Sequence, residues 1–525
     1  MTEEHSLLTG SVPKKLAAFA FPLLLANTLQ SFYNVVDMLV VGQIVGDTGL
    51  AAIGNASKLC YIINSICIGM TMGGAVLIAQ YKGADDKKGQ TESFQMLALL
   101  SLLSSLLVTI VSLATYQPLF KMLNVPADAY QDACDYMKII CCGTVFIFGY
   151  NAVCSVLKGL GDSKSPLYFV GIATIINIVL DIILVGPLGM GTAGAAYATI
   201  TAQGISFVIS LFYLKRHKIF FSMENRGKFT LQWDKLAAIV KVGLPTAIQM
   251  VVVNTAYLLV AGMLNQFGTA VSAASNVGLQ INTFAGMPCW AIGQAVTAMV
   301  GQCMGAGQIE RARKVVKISL VMNVAVTLVV VIGVQFFAEP LILLFGSTTP
   351  EVVNDGVYYL RVCCSINSLI YAVMYTLDSF AIGVGAANVA MINALLDAVI
   401  VRLPVSWLLA FVLNMGFSGI YYGQALSPVL PAIVGLLYFT SRKWGHKTLI
   451  QSSHKGGKSM MDRMVWLLCP ICGNKTRLKV RQDTELINFP LYCPKCKQET
   501  LVNVKKSKLS VIRMADLISK EDNEL

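Results

Sequence analysis

LAAFAFPLLLANTLQSFYNVVDMLVV, residues 16–41, is an apolar run that carries an acid near its far end. At ~1.5 Å of rise per residue it is long enough to cross a hydrocarbon core of ~30 Å. Asn27, Gln30, Asn34 and Asp37 recur at steps of three and four, so the helix has one polar face. A carboxylate at that depth costs roughly 2.5–3.5 kcal/mol on insertion scales, and such groups face a bundle interior or a watery cavity. The reading is a membrane helix with a functional acid. A carboxylate satisfied structurally by neighbouring helices is the alternative.

Composition agrees with a membrane protein. Of 525 residues, 55% are hydrophobic and 13% charged, against about 25% charged in soluble domains. A net charge of +12 therefore does not argue for nucleic-acid binding, because the basic residues fall mainly in short loops, where they set topology. No cleavable signal peptide is expected: the apolar run is too long for a signal h-region.

Twelve spans are predicted, at about 16–41, 53–80, 94–116, 134–157, 166–186, 192–214, 236–264, 274–303, 316–338, 359–382, 388–413 and 417–440. Lys14 and Lys15 precede the first. Lys82, Lys87 and Lys88 follow the second, Lys158 and Lys164 the fourth, Arg311, Arg313 and Lys314 the eighth, and Arg442, Lys443 and Lys447 the twelfth. The loop 215–235 carries Lys215, Arg216, Lys218, Arg226 and Lys228, whereas loops 42–50, 187–191 and 339–356 have no Lys or Arg. Both termini are placed inside a bacterial cytoplasmic membrane.

The chain repeats itself. Gln80-x-x-Gly83-Ala84 ends the second span and Gln302-x-x-Gly305-Ala306 the eighth, while Pro22 matches Pro245 and Gly46 matches Gly268. Asn177-x-x-x-Asp181 matches Asn393-x-x-x-Asp397, and Gly191-x-x-Gly194-x-x-Tyr197 matches Gly416-x-x-Gly419-x-x-Tyr422. The predicted fold is an all-α polytopic membrane protein of two parallel six-helix repeats. Its lobes are 1–214 and 236–447, joined by the loop 215–235.

Four acids and one arginine lie within spans: Asp37, Asp181, Asp378, Asp397 and Arg402. Asn177 and Asp181 share a helix face with Thr174, and Thr199 and Gln203 share another. Spans one, five and six can thus bring two carboxylates, an amide and a hydroxyl to one point. Such a group can take up a proton or hold a monovalent cation; separate structural contacts remain the alternative. In the second half Asn393 and Asp397 mirror this pattern, but span seven offers only Gln249 and Asn254 where Asp37 would stand. Arg402 can neutralise Asp397 or Asp378, so the second half is read as structural. No nucleophile–base pair, phosphate loop or catalytic metal motif indicates an enzyme.

Residues 12–445 resemble the MATE family, the multidrug and toxic compound extrusion transporters. The resemblance rests on Pro22 and Asp37, Gln80-x-x-Gly83-Ala84, Leu157-Lys-Gly159-Leu-Gly161-Asp162, Asn177-x-x-x-Asp181 and Gly194-Ala-Ala-Tyr197-Ala-Thr199. It implies a V-shaped pair of six-helix bundles that exports amphipathic, often cationic small organic molecules in exchange for protons or sodium. It also implies that Asp37, Asn177, Asp181 and Thr199 match the amino-terminal cation or proton site. The glutamate that some branches carry on span seven is missing here, which suggests a branch nearer the DinF-like members. A lipid-linked or metabolite substrate stays open. The secondary polar candidates are Asn34, Gln203, Asn254, Asp378, Asn393, Asp397 and Arg402. A monomer in contact with membrane lipid is expected.

Beyond Lys447 the composition changes. A linker, 448–464, is expected from Ser452, Ser453, Gly456 and Gly457. A tail, 465–525, follows with Cys469-Pro-Ile-Cys472 and Cys493-Pro-Lys-Cys496. Two such knuckles suit a four-thiolate zinc site in a ribbon-like module; a redox dithiol is the lesser reading. The other ten cysteines show no metal spacing and read as small packing residues. The tail resembles the cysteine-rich KTR proteins, named for Lys475-Thr476-Arg477. Met460, Met461 and Met464 just before it are compatible with a fused second reading frame. A membrane-tethered regulator is the competing role for the tail, and its nucleic-acid signal is weak.

Overall fold

The computed structural model describes residues 7–122, 125–217, 219, 231–344, 349–450, 465–480, 484–505 and 508–511. The stretch read as a linker, with Ser452, Ser453, Gly456, Gly457, Met460, Met461 and Met464, lies outside them, as do Lys218, Arg226 and Lys228 of the 215–235 loop. The chain forms two compact units that divide at Ile450 and Gln451.

The first unit is helical. Its first repeat comprises α1 (Val12–Ile44), α2 (Asp47–Gly83), α3 (Lys87–Met122), α4 (Ala127–Cys142), α5 (Thr144–Leu160), α6 (Lys164–Val185) and α7 (Gly191–Arg216). The second comprises α8 (Trp233–Leu264), α9 (Thr269–Gly305), α10 (Ile309–Phe336), α11 (Ala338–Leu344), α12 (Pro350–Cys363), α13 (Ile366–Val384), α14 (Ala387–Leu395), α15 (Leu403–Trp407), α16 (Phe417–Leu426) and α17 (Val429–Thr440).

Among the described residues nine helical segments are long and apolar enough to span a membrane. Two of the twelve sequence-read spans are bent helix pairs: α4 and α5 meet at 51°, and α12 and α13 at 49°. Counting each pair as one span gives eleven. The twelfth is α9, which has no charged residue but is diluted by Asn, Gln, Ser, Thr and Gly because it is buried among other helices.

The repeats are joined at the ends that carry the basic loops. There one buried cluster runs through both, from Leu16, Phe19 and Leu23 of α1 to Ala295 and Met299 of α9 and Val315 of α10. Phe380 and Trp444 belong to the same cluster. At the opposite ends each repeat has its own core. Ile53, Phe120, Met137 and Phe148 fill one, and Val260, Ile342, Tyr359 and Tyr421 the other. The first half of the molecule therefore touches the second mainly at one end.

The repeated Gln-x-x-Gly-Ala motif makes that junction. A Cβ on Gly83 would lie 1.9 Å from the Gln302 carbonyl oxygen, and one on Gly305 would lie 1.8 Å from that of Gln80. The two motifs pack on each other, and only glycine allows the approach. The glutamine side chains then reach across. Gln80 Nε2 donates to the Gly383 and Val384 carbonyls at the end of α13 (3.4 and 3.3 Å). Gln302 Nε2 donates to the Gly159 carbonyl at the end of α5 (2.9 Å). Both satisfy helix-terminal carbonyls that have no intrahelical partner. Gln80 Oε1 accepts from the Leu449 N–H at 2.8 Å and from Thr448 Oγ1 at 3.2 Å. Residues 448–450, read from the sequence as the start of the linker, are thus fixed to the helical unit; Leu449 and Ile450 pack on its core.

The second unit is a small β module. Strands β1 (Val465–Leu468) and β2 (Lys475–Val480) form an antiparallel pair. Strands β3 (Leu486–Tyr492), β4 (Glu499–Lys505) and β5 (Lys508–Val511) form an antiparallel sheet. Leu467, Val480, Leu491, Val502 and Val504 make its core.

Gly83→Ala and Gly305→Ala are each expected to lower the thermal midpoint of the detergent-solubilised protein, at a cost of roughly 1–3 kcal/mol. Gly171→Ala, where nothing lies within 4 Å, should not lower it. Midpoints unmoved by the first two changes would contradict the close approach of α2 and α9.

Candidate functional site

The acid of the opening helix meets its partners. Asp37 on α1, Asn177 and Asp181 on α6, and Thr199 on α7 are all buried, Asp181 at 0% and Asn177 at 1% exposure. Asn177 Nδ2 donates to Thr199 Oγ1 at 3.4 Å, and Thr199 Oγ1 donates to Asp37 Oδ2 at 3.3 Å. The Asp181 side chain lies against the Asp37 carboxylate. The i, i+4 spacing on α6 puts Asn177 and Asp181 on one face, and α1 and α7 both lie against α6.

The site has acceptors to spare. Asp37 Oδ1, both Asp181 carboxylate oxygens, Asn177 Oδ1 and Thr174 Oγ1 are buried with no hydrogen-bond partner. None of the ion pairs among the described residues includes Asp37 or Asp181. Buried carboxylate oxygens are costly unless something binds them. An all-oxygen set of this kind can share a proton or hold a hard monovalent cation.

Other polar residues fall elsewhere. Gln30 and Asn34 on α1 are exposed, so the stripe read from spacing does not enter the site as a whole; only Asp37 is buried. Gln203 stands one turn beyond Thr199 with its Oε1 unpartnered. Tyr33 and Tyr136 lie near both acids and have no counterpart in the sequence reading. Tyr33 precedes Asp37 by one helical turn, a signal that was available. Tyr136 comes from α4, and nothing in its local sequence points to the site.

The second repeat does something different. Asn393 Nδ2 donates to Asp378 Oδ1 on α13 at 2.6 Å, not to Asp397. Asp397 instead takes Arg402 Nη2 at 2.8 Å in a buried ion pair. The physical reason is a π-helical segment, Leu396–Arg402, between α14 and α15. In an α-helix, residues five apart point about 140° from one another around the axis. A π turn bonds i to i+5 and stacks them. The Arg402 guanidinium also lies 4.3 Å from the centre of the Tyr257 ring. Asn254 turns to the first repeat and donates to Ser65 Oγ at 2.8 Å. Gln249, Asn254, Tyr371, Asp378, Asp397 and Arg402 line a cavity of about 140 Å³.

In the β module Cys469, Cys472, Cys493 and Cys496 converge, with all four sulfurs within 4.8 Å of one another. Cys469 and Cys496 are 3.7 Å apart, and Cys472 and Cys493 3.6 Å. A tetrahedral zinc with ~2.3 Å bonds to sulfur has sulfur–sulfur edges of about 3.8 Å. Each knuckle is closed by its own turn: the Gly473 N–H bonds the Cys469 carbonyl, and the Lys497 N–H bonds that of Cys493. Hydrogen bonds from Asn474 lower the Cys472 thiol, whereas the neighbouring cysteines raise that of Cys496, so the four sulfurs share negative charge unequally. Of the ten remaining cysteines eight are buried, as packing residues should be; Cys142 is exposed and Cys60 half-buried.

Both units match known protein families. The family model MatE matches residues 22–183 and 245–408, and the model Cysteine-rich KTR matches 464–517. The chain is 30% identical over 443 residues to the Bacillus subtilis protein named "Probable multidrug resistance protein YpnP", covering 84% of this chain and 97% of that one. It is 25% identical over 376 residues to the "FAD transporter" of Shewanella oneidensis, covering 69% and 80%. Among solved structures, one described as the outward-facing conformation of a multidrug resistance MATE family transporter superposes with a TM-score of 0.80 at 23% identity, covering 85% of this chain and all of that one.

Arg402→Met alone should destabilise the protein by roughly 3–5 kcal/mol, because it leaves Asp397 buried and unpaired. Arg402→Met combined with Asp397→Leu should recover most of that loss. Thermal midpoints of the two variants in detergent check the difference; equal losses would contradict the pairing.

Proposed function

The chain belongs to the MatE family, whose members are transporters and not enzymes, and on that premise we propose that it is a secondary active antiporter. It exports amphipathic, often cationic organic compounds in exchange for protons or sodium. The observation that carries this reading is the buried Asp37–Asp181 pair, with unpartnered oxygens and, among the described residues, no ion-pair partner. Asp37, Asn177, Asp181 and Thr199 form the coupling site. A proton or cation there and a cationic substrate compete for the same negative charge, so loading one favours release of the other. A ligand shifts a conformational equilibrium only by its differential affinity for the two states. The coupling ion therefore has to bind one state of the lobe better than the other.

The two lobes, 1–214 and 236–447, alternate in access about the junction at the basic ends. The protein works as a monomer in a bacterial cytoplasmic membrane, with the basic loops and both termini inside. The neutralised Asp397–Arg402 pair leaves the second lobe without a matching ion site. The cysteine cluster holds structural zinc, which supplies stability that a core of a few side chains lacks. A metabolite substrate is the second reading, favoured by the relative named as an FAD transporter. The remaining alternatives are a lipid-linked substrate and a tethered zinc-ribbon regulator.

Cells expressing the wild type should extrude a fluorescent cationic dye, and Asp37→Asn and Asp181→Asn should each reduce extrusion to background. Equal efflux by wild type and Asp37→Asn would sink the coupling role. Varying sodium at fixed pH, and then pH at fixed sodium, identifies the ion. Failure of the wild type to move any dye, with uptake of a flavin nucleotide into inverted vesicles, would favour the metabolite reading.

Metal analysis of the purified chain should find one zinc, lost in Cys493→Ser. Deleting 452–525 should leave dye efflux intact. Loss of a signalling output with efflux intact on that deletion would favour the tethered regulator.

A further inference from the structure

The β1–β2 pair has two unlike faces. Leu467, Thr476 and Val480 point inward and are buried. Trp466 pairs across the strands with Lys479, and Leu468 with Lys475, so these four side chains share the other face. Arg477 lies two residues from each lysine and joins them. Lys475, Arg477 and Lys479 are exposed, as are Trp466 (37%) and Leu468 (52%). The knuckle that connects the strands adds Ile471, 55% exposed. No acid lies on β1 or β2. Three apolar side chains and three cations, with no anion among them, occupy one face and the adjoining turn.

We propose that this face docks on the anionic headgroups of the membrane in which the protein resides. The mixture suits a lipid interface. An indole settles at headgroup level, aliphatic tips enter the acyl boundary, and long basic side chains keep their charges among the phosphates. It suits single-stranded nucleic acid less well. Base stacking needs a free aromatic face, whereas the Lys479 ammonium lies over the Trp466 ring at 4.4 Å, and Leu468 and Ile471 have no aromatic face. The membrane is also within reach. Only residues 451–464 lie between Ile450 and β1 in sequence, and fully extended they span at most ~50 Å.

The test uses the full chain in liposomes of phosphatidylcholine, alone or with phosphatidylglycerol as roughly one lipid in three. The acyl chains are brominated to quench tryptophan. Subtracting the signal of Trp466→Phe isolates Trp466 from the other four tryptophans. The Trp466 signal should be quenched in the anionic liposomes and not in the neutral ones. Raising salt from about 0.05 to about 0.5 M should relieve the quenching by screening. The triple change Lys475→Glu, Arg477→Glu, Lys479→Glu should abolish it while retaining wild-type zinc. The salt arm needs no substitution on the basic face, so the test stands even if the triple variant does not fold. A Trp466 signal unquenched in anionic liposomes, or quenched equally in both, overturns the proposal. Quenching by a single-stranded oligonucleotide on neutral liposomes, without quenching by anionic lipid, overturns it in favour of nucleic acid.

Discussion

Two backbones touch where α2 and α9 end, and the helical unit depends on that contact. Gly83 lies on the Gln302 carbonyl and Gly305 on that of Gln80, too close for any side chain. The approach brings each glutamine amide to a helix end of the other repeat. Around it gathers the buried cluster common to both repeats, with Phe380 and Trp444 fully enclosed. Other ties fall at the same end: Arg311 of α10 donates to the Leu7, Thr9 and Gly10 carbonyls ahead of α1. At the far ends the cores are separate.

The repeats share a plan and differ in electrostatics. In the first, two buried acids face each other, and neither has an ion-pair partner among the described residues. In the second, Asp397 is neutralised by Arg402, and Asp378 is held by Asn393. Burying charge is expensive in either lobe, but the cost is met differently. The second lobe meets it within the fold, at a fixed ion pair. The first leaves Asp37 Oδ1 and both Asp181 carboxylate oxygens without a hydrogen-bond partner within the fold.

Much of this was legible in the sequence. Composition and loop charge gave the membrane class, and the offset motifs gave the repeat. The i, i+4 pair Asn177 and Asp181 converges with Asp37 and Thr199 because α-helical spacing holds there. Asn393 and Asp397 copy that spacing, and Arg402 pairs with Asp397 as its charge within the span suggests, but across a π turn that the repeat does not announce. Pro404 within this span lacks an N–H to donate, but a proline alone does not announce a π turn. Gln30 and Asn34 share the predicted face with Asp37 yet are exposed, because a stripe says which residues share a side and not how far a neighbouring helix covers it. Tyr136 is a tertiary neighbour with no local signature. The four-cysteine spacing needed no tertiary information, since each knuckle is a closed local turn.

The crossed glutamines have a mechanical meaning. Each amide bond depends on the same glycine approach, so separating α2 from α9 strips both at once. A half-released state would leave a carbonyl and an amide unsatisfied without gaining a new arrangement. Each repeat thus holds a helix end of the other, so a change that spreads α2 from α9 strains both bonds together.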